Sequence, residues 1–185
     1  MTQERETYPV EVAGLKRDLR LFEVAPGVRI AIVNILGDTE LVLAAAKALA
    51  KQISGSKPTA LVTAEAKSIP LAFALSAEMK IPFIVLRKSY KPYMGEAIEA
   101  ETYSITTGKP QTLFLDEKDR ELVDGNRVAL VDDVISTGST LQAMKLVMDK
   151  AGADVVVEAA IFTEGDRAKW KNVVALGHLP VFTDN

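Results

Sequence analysis

At 185 residues, with 48% hydrophobic and 25% charged side chains, the chain has the composition of a single globular domain with room for a substantial core. A formal net charge of −3 without any polybasic run argues against nucleic acid as the main partner, and the absence of cysteine excludes disulfides and thiolate metal sites. No run approaches ~18 uninterrupted apolar residues, and the polar start Met-Thr-Gln-Glu-Arg-Glu-Thr has no apolar signal core, so the expectation is a soluble cytoplasmic protein with no membrane partner.

In chain order, residues 1–12 read as a loose lead-in or edge segment. Residues 13–29 mix Lys16, Arg17, Asp18 and Arg20 with Leu15, Leu19, Leu21 and Phe22 before Pro26-Gly27, and read as a small cap. Ile30 to Ile35 reads as a strand. Asp38 is placed to cap a helix from Thr39 to about Ile53, with Leu41, Ala45, Ala48 and Leu49 on one stripe and Gly55, Lys57 and Pro58 at its end. Thr59 to Thr63 is a second short strand. A helix follows from near Pro70, with Leu71, Leu75 and Met79 spaced by four, and then a strand from Ile81 to Leu86 that ends in Arg87-Lys88. Strand, helix and strand at this spacing predict a βαβ crossover and a parallel sheet.

From Ser89 to about Glu101 proline, glycine and tyrosine replace clean periodicity, which predicts a long mobile loop of the kind that often serves as a lid. Thr102 to Thr106 and Gln111 to Leu115, joined around Gly108-Lys109-Pro110, predict a hairpin carrying that lid. Asp124-Gly125 is a turn. Val128 to Val131 is an unbroken apolar run, as expected of a strand buried on both faces, and Asp132 and Asp133 stand where it should end. Ser136, Thr137, Gly138, Ser139 and Thr140 come next, followed by a helix through Leu141, Met144 and Met148 to about Ala151-Gly152. Asp154 to Phe162 is a further buried strand. The tail from Val173 to Phe182 reads as short strands around Gly177 and Pro180, with Trp170 as packing and His178, the single histidine, as structural.

The stretch from Val128 to Thr140 is the chemical centre of the chain. A strand, a turn of small hydroxyl residues and a helix N-terminus converge backbone N–H groups on an anion, and the helix's positive end favours it. Neither a P-loop nor a G-x-G-x-x-G fingerprint is present, which disfavours a dehydrogenase-type domain. Two carboxylates beside a phosphate nest suit a ribose 5-phosphate, whose diol donates hydrogen bonds to them.

The stretch resembles the phosphoribosyl pyrophosphate (PRPP) binding motif of the type I phosphoribosyltransferases: four hydrophobic residues, two acids, then T-G-x-T. The chain is similar to the adenine- and xanthine-type branch from about Thr59 to Phe162. The resemblance implies an open, mainly parallel α/β sheet flanked by helices, in one domain over 1–185. Its core would run from about 36 to 163, its hood from about 1–35 and 164–185, and its mobile lid from about 89 to 115.

The resemblance further implies transfer of a phosphoribosyl group from PRPP to a purine-type nucleobase with release of pyrophosphate, Mg²⁺ as cofactor, and a homodimer. By residue, it implies ribose contacts by Asp132 and Asp133 and a 5′-phosphate nest at Ser136, Thr137, Gly138, Ser139 and Thr140. Pyrophosphate would meet Ala66, Lys67, Ser68, Arg87 and Lys88, with a non-proline cis peptide often found in that loop and a further cation, Lys91, on the lid. The base would meet Glu164 and Asp166. No metal is expected to be held directly; Mg²⁺ would sit on substrate and water near Asp132 and Asp133. Two departures stand out. Ser68 occupies a position often held by glycine, and Thr106 stands where adenine enzymes carry a proton-transferring glutamate, after Tyr103-Ser104. They keep open a second reading, a PRPP-sensing regulator of the same fold without turnover.

Overall fold

The computed structural model describes residues 6–103 and 110–183. Three antiparallel strands come first: β1 (Thr7–Val12), β2 (Leu15–Ala25) and β3 (Val28–Ile32). Their alternation explains them. Tyr8, Val10 and Val12 on β1 and Leu15, Leu19 and Leu21 on β2 pack toward the core, while Thr7, Glu11, Lys16 and Asp18 face water. A tight turn with positive φ at both Ala13 and Gly14 joins β1 to β2. The expected loose lead-in is therefore a paired strand, and the cap is a sheet. The strand expected at 30–35 lies instead at Val28–Ile32 and belongs to this antiparallel sheet, although Val33 and Ile35 beyond it are buried.

The helix α1 (Thr39–Ile53) has the bounds expected of it. After β4 (Ala60–Ala64), α2 (Ile69–Met79) and β5 (Phe83–Leu86), a two-stranded unit forms from β6 (Ile98–Tyr103) and β7 (Pro110–Leu115). A short helix α3 (Arg120–Val123) leads to β8 (Arg127–Ile135), α4 (Ser139–Lys150), β9 (Asp154–Glu164), β10 (Val174–Leu179) and β11 (Val181–Thr183). Five strands make a parallel sheet in the order β10-β9-β8-β4-β5, and β11 closes the antiparallel sheet against β3. This is the mixed α/β architecture with a central parallel sheet that the sequence predicts. Two apolar clusters form the core. One joins α1 and α2 to the antiparallel sheet, and the other packs α4 and the β6–β7 pair on the opposite face.

Several boundaries differ from expectation for physical reasons. β8 does not stop at Val131: its pairing with β9 continues through Ile135, so Asp132 and Asp133 lie within the strand. Gly177 is no turn but a strand residue, needed because a β-carbon there would come within 2.6 Å of the Phe162 ring on β9. β10 thus belongs to the parallel sheet rather than to the cap. In the expected lid, Met94 is fully buried within a 3-10 turn at Pro92–Met94, and β6 begins at Ile98 rather than Thr102. Main-chain hydrogen bonds of 2.9 Å in both directions between Arg87 and Phe114 fasten β7 to the end of β5. Ser104, Thr106, Gly108 and Lys109 lie outside the described residues. Within the described residues, no helix is long and apolar enough to cross a membrane.

One ionic contact joins the antiparallel sheet to α1. Asp38 accepts the Leu41 N–H at 3.1 Å as the helix cap, and the Arg17 guanidinium from β2 grips the same carboxylate at 2.7 and 3.0 Å while reaching Glu40 at 2.8 Å. Arg17 holds the Asp38 carboxyl below its ordinary value. A depressed carboxyl contributes stability above the ordinary carboxylate range and loses it as pH falls through the depressed value. Asp38→Ala is therefore expected to destabilise the fold by about 1–2 kcal/mol at pH 7, chiefly through the lost cap. In urea titrations that deficit shrinks as pH falls below the ordinary carboxylate range and the wild-type carboxylate itself protonates.

Candidate active site

The carboxyl ends of β4, β5 and β8 are adjacent in the sheet, so the segments after them face one crevice. From β4 come Glu65, Ala66, Lys67 and Ser68, with a cis peptide between Glu65 and Ala66. From β5 come Arg87 and Lys88. From β8 come Asp132, Asp133 and the turn at 136–140.

The carboxylate pair sits where the sheet is densest. Asp133 is buried, and its N–H donates to Asp132 Oδ1 at 2.9 Å. Burial, and then the neighbouring Asp133 charge, pushes the Asp132 carboxyl up to about 8, a rise that the Ser68 hydroxyl and the Asp133 N–H only partly oppose. Lys67 Nζ lies 3.3 Å from Asp133 Oδ2, an ion pair rather than a hydrogen bond, so that buried oxygen accepts none within the protein. A hard, under-satisfied carboxylate oxygen beside a second carboxyl suits Mg²⁺ bound through water. Among the described residues, no group of three or more His, Asp or Glu side chains could cage a metal.

The Ser68 side chain is held within the protein. Its hydroxyl is buried and bonds Thr63 Oγ1 at 2.7 Å and the Ala64 carbonyl at 3.3 Å, so only its main chain is available to an anion. The Ser68 hydroxymethyl group, where glycine has only a hydrogen, is thus absorbed into the wall beside Asp132.

Glu65 is the residue that sequence reasoning passed over. Its carboxylate accepts from Arg87 Nε at 2.5 Å and from the Lys88 N–H at 2.8 Å. Burial opposes the Glu65 charge, but these two donors outweigh it and hold the carboxyl below its ordinary value. Arg87 also donates to the Tyr93 hydroxyl at 3.3 Å. The Arg87 guanidinium at the end of β5 is therefore held by an acid from the segment after β4, which also fixes the Lys88 main chain. Only the position of that acid, between a buried strand and a basic residue, could have signalled this in the sequence.

Lys88 and Lys91 are exposed, and no ion pair among the described residues involves either. Lys91 opens the 3-10 turn that buries Met94.

The turn after β8 surrounds a cavity of about 30 Å³ lined by Asp132 and residues 134–141. Gly138, at φ +83, has a left-handed conformation that L side chains rarely adopt, and it sets the N-terminus of α4. The Ser139 N–H points to Thr137 Oγ1 at 3.4 Å, and the Thr137 and Ser139 hydroxyls are 3.0 Å apart.

Glu164 ends β9 one strand away, and burial pushes its carboxyl up. Asp166 instead spends a carboxylate oxygen on the Ala168 N–H, capping the 3-10 turn at Arg167–Trp170. His178 bonds Thr163 Oγ1 at 2.9 Å and the Gly165 carbonyl at 3.0 Å, as a structural histidine would.

The phosphoribosyl transferase domain model matches residues 33–176. A hypoxanthine/guanine phosphoribosyltransferase of Methanococcus voltae is 37% identical over 114 residues, covering 61% of this chain and 57% of that protein. The purine biosynthesis transcriptional repressor PurR of Bacillus subtilis is 27% identical over 141 residues, 74% of this chain and 49% of the repressor. The chain thus matches only about half the length of these curated relatives. The crystal structure of adenine phosphoribosyltransferase from Thermoanaerobacter pseudethanolicus superposes with a TM-score of 0.67 over 94% of this chain and 95% of that one, at 20% identity. That last likeness is one of fold.

The raised Asp132 carboxyl has a consequence in the unliganded protein. A carboxyl that holds its proton longer folded than unfolded stabilises the fold below the ordinary value near 3.9, and that contribution fades as pH climbs toward the raised value. Wild-type stability should therefore fall between about pH 4 and pH 8. Asp132→Asn should flatten the slope and gain at least about 1 kcal/mol on wild type at pH 8 relative to pH 5 in urea unfolding.

Proposed function

This chain belongs to the phosphoribosyl transferase domain family, and on that premise we propose that it moves the 5-phosphoribosyl group from PRPP to a ring nitrogen of a purine-type base, releasing pyrophosphate. The observation that carries the reading is the carboxylate pair of β8 opening onto the turn at 136–140, with Lys67 and the Glu65-aimed Arg87 across the crevice. The 37% identity to hypoxanthine/guanine enzymes favours a 6-oxopurine over adenine, since the likeness to the adenine enzymes is one of fold.

In this reading the bond from ribose C1 to the pyrophosphate oxygen breaks, its electron pair leaving on pyrophosphate, as the base nitrogen bonds to C1 and gives up its proton to water, through an oxocarbenium-like transition state. The 5′-phosphate rests on the N–H groups and hydroxyls of Ser136 to Thr140 at the positive end of α4. Asp132 and Asp133 accept the ribose hydroxyls and face the positive charge that develops at C1. Lys67, Arg87 and Lys88, with the main chain of Ala66 and Ser68, receive the charge of the departing pyrophosphate, and Lys91 joins them from the β6–β7 side. Mg²⁺, held through substrate and water near Asp132 and Asp133, would neutralise part of that charge. Glu164, at the end of β9, is our candidate to meet the base, with Asp166 acting beside it through the turn that it caps. A cytoplasmic location fits a chain without cysteine, which needs no oxidising compartment.

A second reading, a PRPP sensor without turnover, is favoured by one observation: the similarity to a purine repressor covers 74% of the chain. Pyrophosphate release separates the two. With PRPP, Mg²⁺ and a panel of purines and pyrimidines, the enzyme reading expects turnover on hypoxanthine or guanine. It also expects a loss of at least ~100-fold when Asp132 and Asp133 are both replaced by asparagine. Calorimetric PRPP binding without pyrophosphate release on any base establishes the sensor instead.

We further propose a homodimer. Leu36, Leu43 and Phe73 are 53%, 58% and 62% exposed, and a groove of about 430 Å³ between α1 and α2 includes Leu43, Phe73 and Pro70, one turn beyond the Lys67 loop. Phe73→Glu is expected to convert a dimer into a monomer in light-scattering chromatography; a wild-type protein that is monomeric at micromolar concentration refutes this.

A further inference from the structure

Trp170 is the chain's only tryptophan, and it stands between two parts of the proposed site. Its indole N–H donates to the Glu164 carbonyl at 3.0 Å, at the end of β9. The far edge of the same ring lies on Gly138: a β-carbon added there would be 2.6 Å from Cη2 and 3.3 Å from Cζ3. The ring is fixed at its root as well. Asp166 caps the turn that carries it, and the Trp170 carbonyl accepts the Val173 N–H at 3.0 Å. Outside the turn, a cavity of about 370 Å³ runs along Thr137, Gly138 and Ser139 with Trp170 in its wall.

We infer that Trp170 is a positioning residue for the phosphate turn: its ring braces Gly138 from outside, holding the N–H groups of residues 137–140 in their anion-receiving arrangement. The inference rests on the reading of residues 136–140 as the 5′-phosphate nest. The physical reason is preorganisation. A turn of Ser, Thr and Gly has little side-chain bulk to hold its own shape, and an unbraced turn must be ordered at the moment of binding. The strut also joins the turn to the end of β9, where the base is proposed to lie, so one rigid side chain spans both ends of the nucleotide. The 5′-phosphate does not change charge during the reaction. A brace acting on it affects ground state and transition state alike, and so appears in KM rather than kcat.

The test uses the full chain. Trp170→Ala is expected to raise KM for PRPP roughly 10-fold while kcat stays within about 3-fold, and Trp170→Phe, which keeps a ring but loses the N–H, should fall between. In the wild type, emission from the single tryptophan should change saturably with ribose 5-phosphate, at the midpoint found by calorimetry. If PRPP binds the wild type by calorimetry but the emission stays constant and Trp170→Phe has the wild-type KM, the brace is refuted while the phosphate nest stands. If calorimetry shows no binding of PRPP or ribose 5-phosphate to the wild type, the nest falls and the brace with it. Should Trp170→Ala fail to fold, the emission titration and Trp170→Phe decide.

Discussion

The molecule depends on holding two carboxyl groups side by side within its central strand, near the carboxyl end of β8, without letting both ionise freely. β9 pairs alongside Asp132, β4 pairs with β8 as far as Leu130, and the hydroxyl of Ser68 and the ammonium of Lys67 come from a single loop after β4. Like charges this close in a crowded site repel strongly, and burial adds to the cost. Burial and the Asp133 charge together raise the Asp132 carboxyl above its ordinary value, which favours the form that keeps its proton. A cationic or strongly hydrogen-bond-donating ligand removes the reason for that proton, so the site is poised for a partner that its own residues only half supply.

The opposing cations follow the same logic with reversed sign. Arg87 is tethered by Glu65 and Tyr93, and Lys88 is fixed through its main chain by the same glutamate. Such tethering lowers the entropy lost when an anion arrives, because the long arginine side chain is already ordered. It also keeps the crevice near electrical balance while empty: acids from β8 face a lysine from the β4 loop, and an acid from β4 faces an arginine from β5. The antiparallel sheet and α1 are joined in like manner by Arg17 and Asp38, where one carboxylate serves as both helix cap and ion-pair partner.

The legible parts of the chain were those where one local rule suffices. Asp38 before an apolar stripe fixed α1 because capping and periodicity agree, and the strand–turn–helix order at 128–140 was legible because an apolar run, a glycine turn and a helical stripe follow one another directly. What escaped depends on distant partners. β8 seemed to end at Asp132 because charged residues rarely continue a buried strand, yet β9 pairs with it to Ile135. Gly177 suggested a turn, but its hydrogen is demanded by Phe162 across the strand pair. The sheet at the start of the chain was hidden because β2 sets Arg17 among its apolar positions, for a carboxylate found only in the folded chain. Glu65 and Trp170 carry no motif at all, and their roles exist only through what they touch.

The stitch between Arg87 and Phe114 has one more implication. Two reciprocal main-chain bonds make the root of the β6–β7 unit continuous with the parallel sheet, and detaching it forfeits roughly 1 kcal/mol for each bond. Leu115 pairs with Ile98 beside this anchor, whereas Pro110 pairs with Tyr103 at the far end. The ribbon is thus a cantilever, clamped at the residue that points its guanidinium into the crevice, and bending stress along it would be felt first at Arg87.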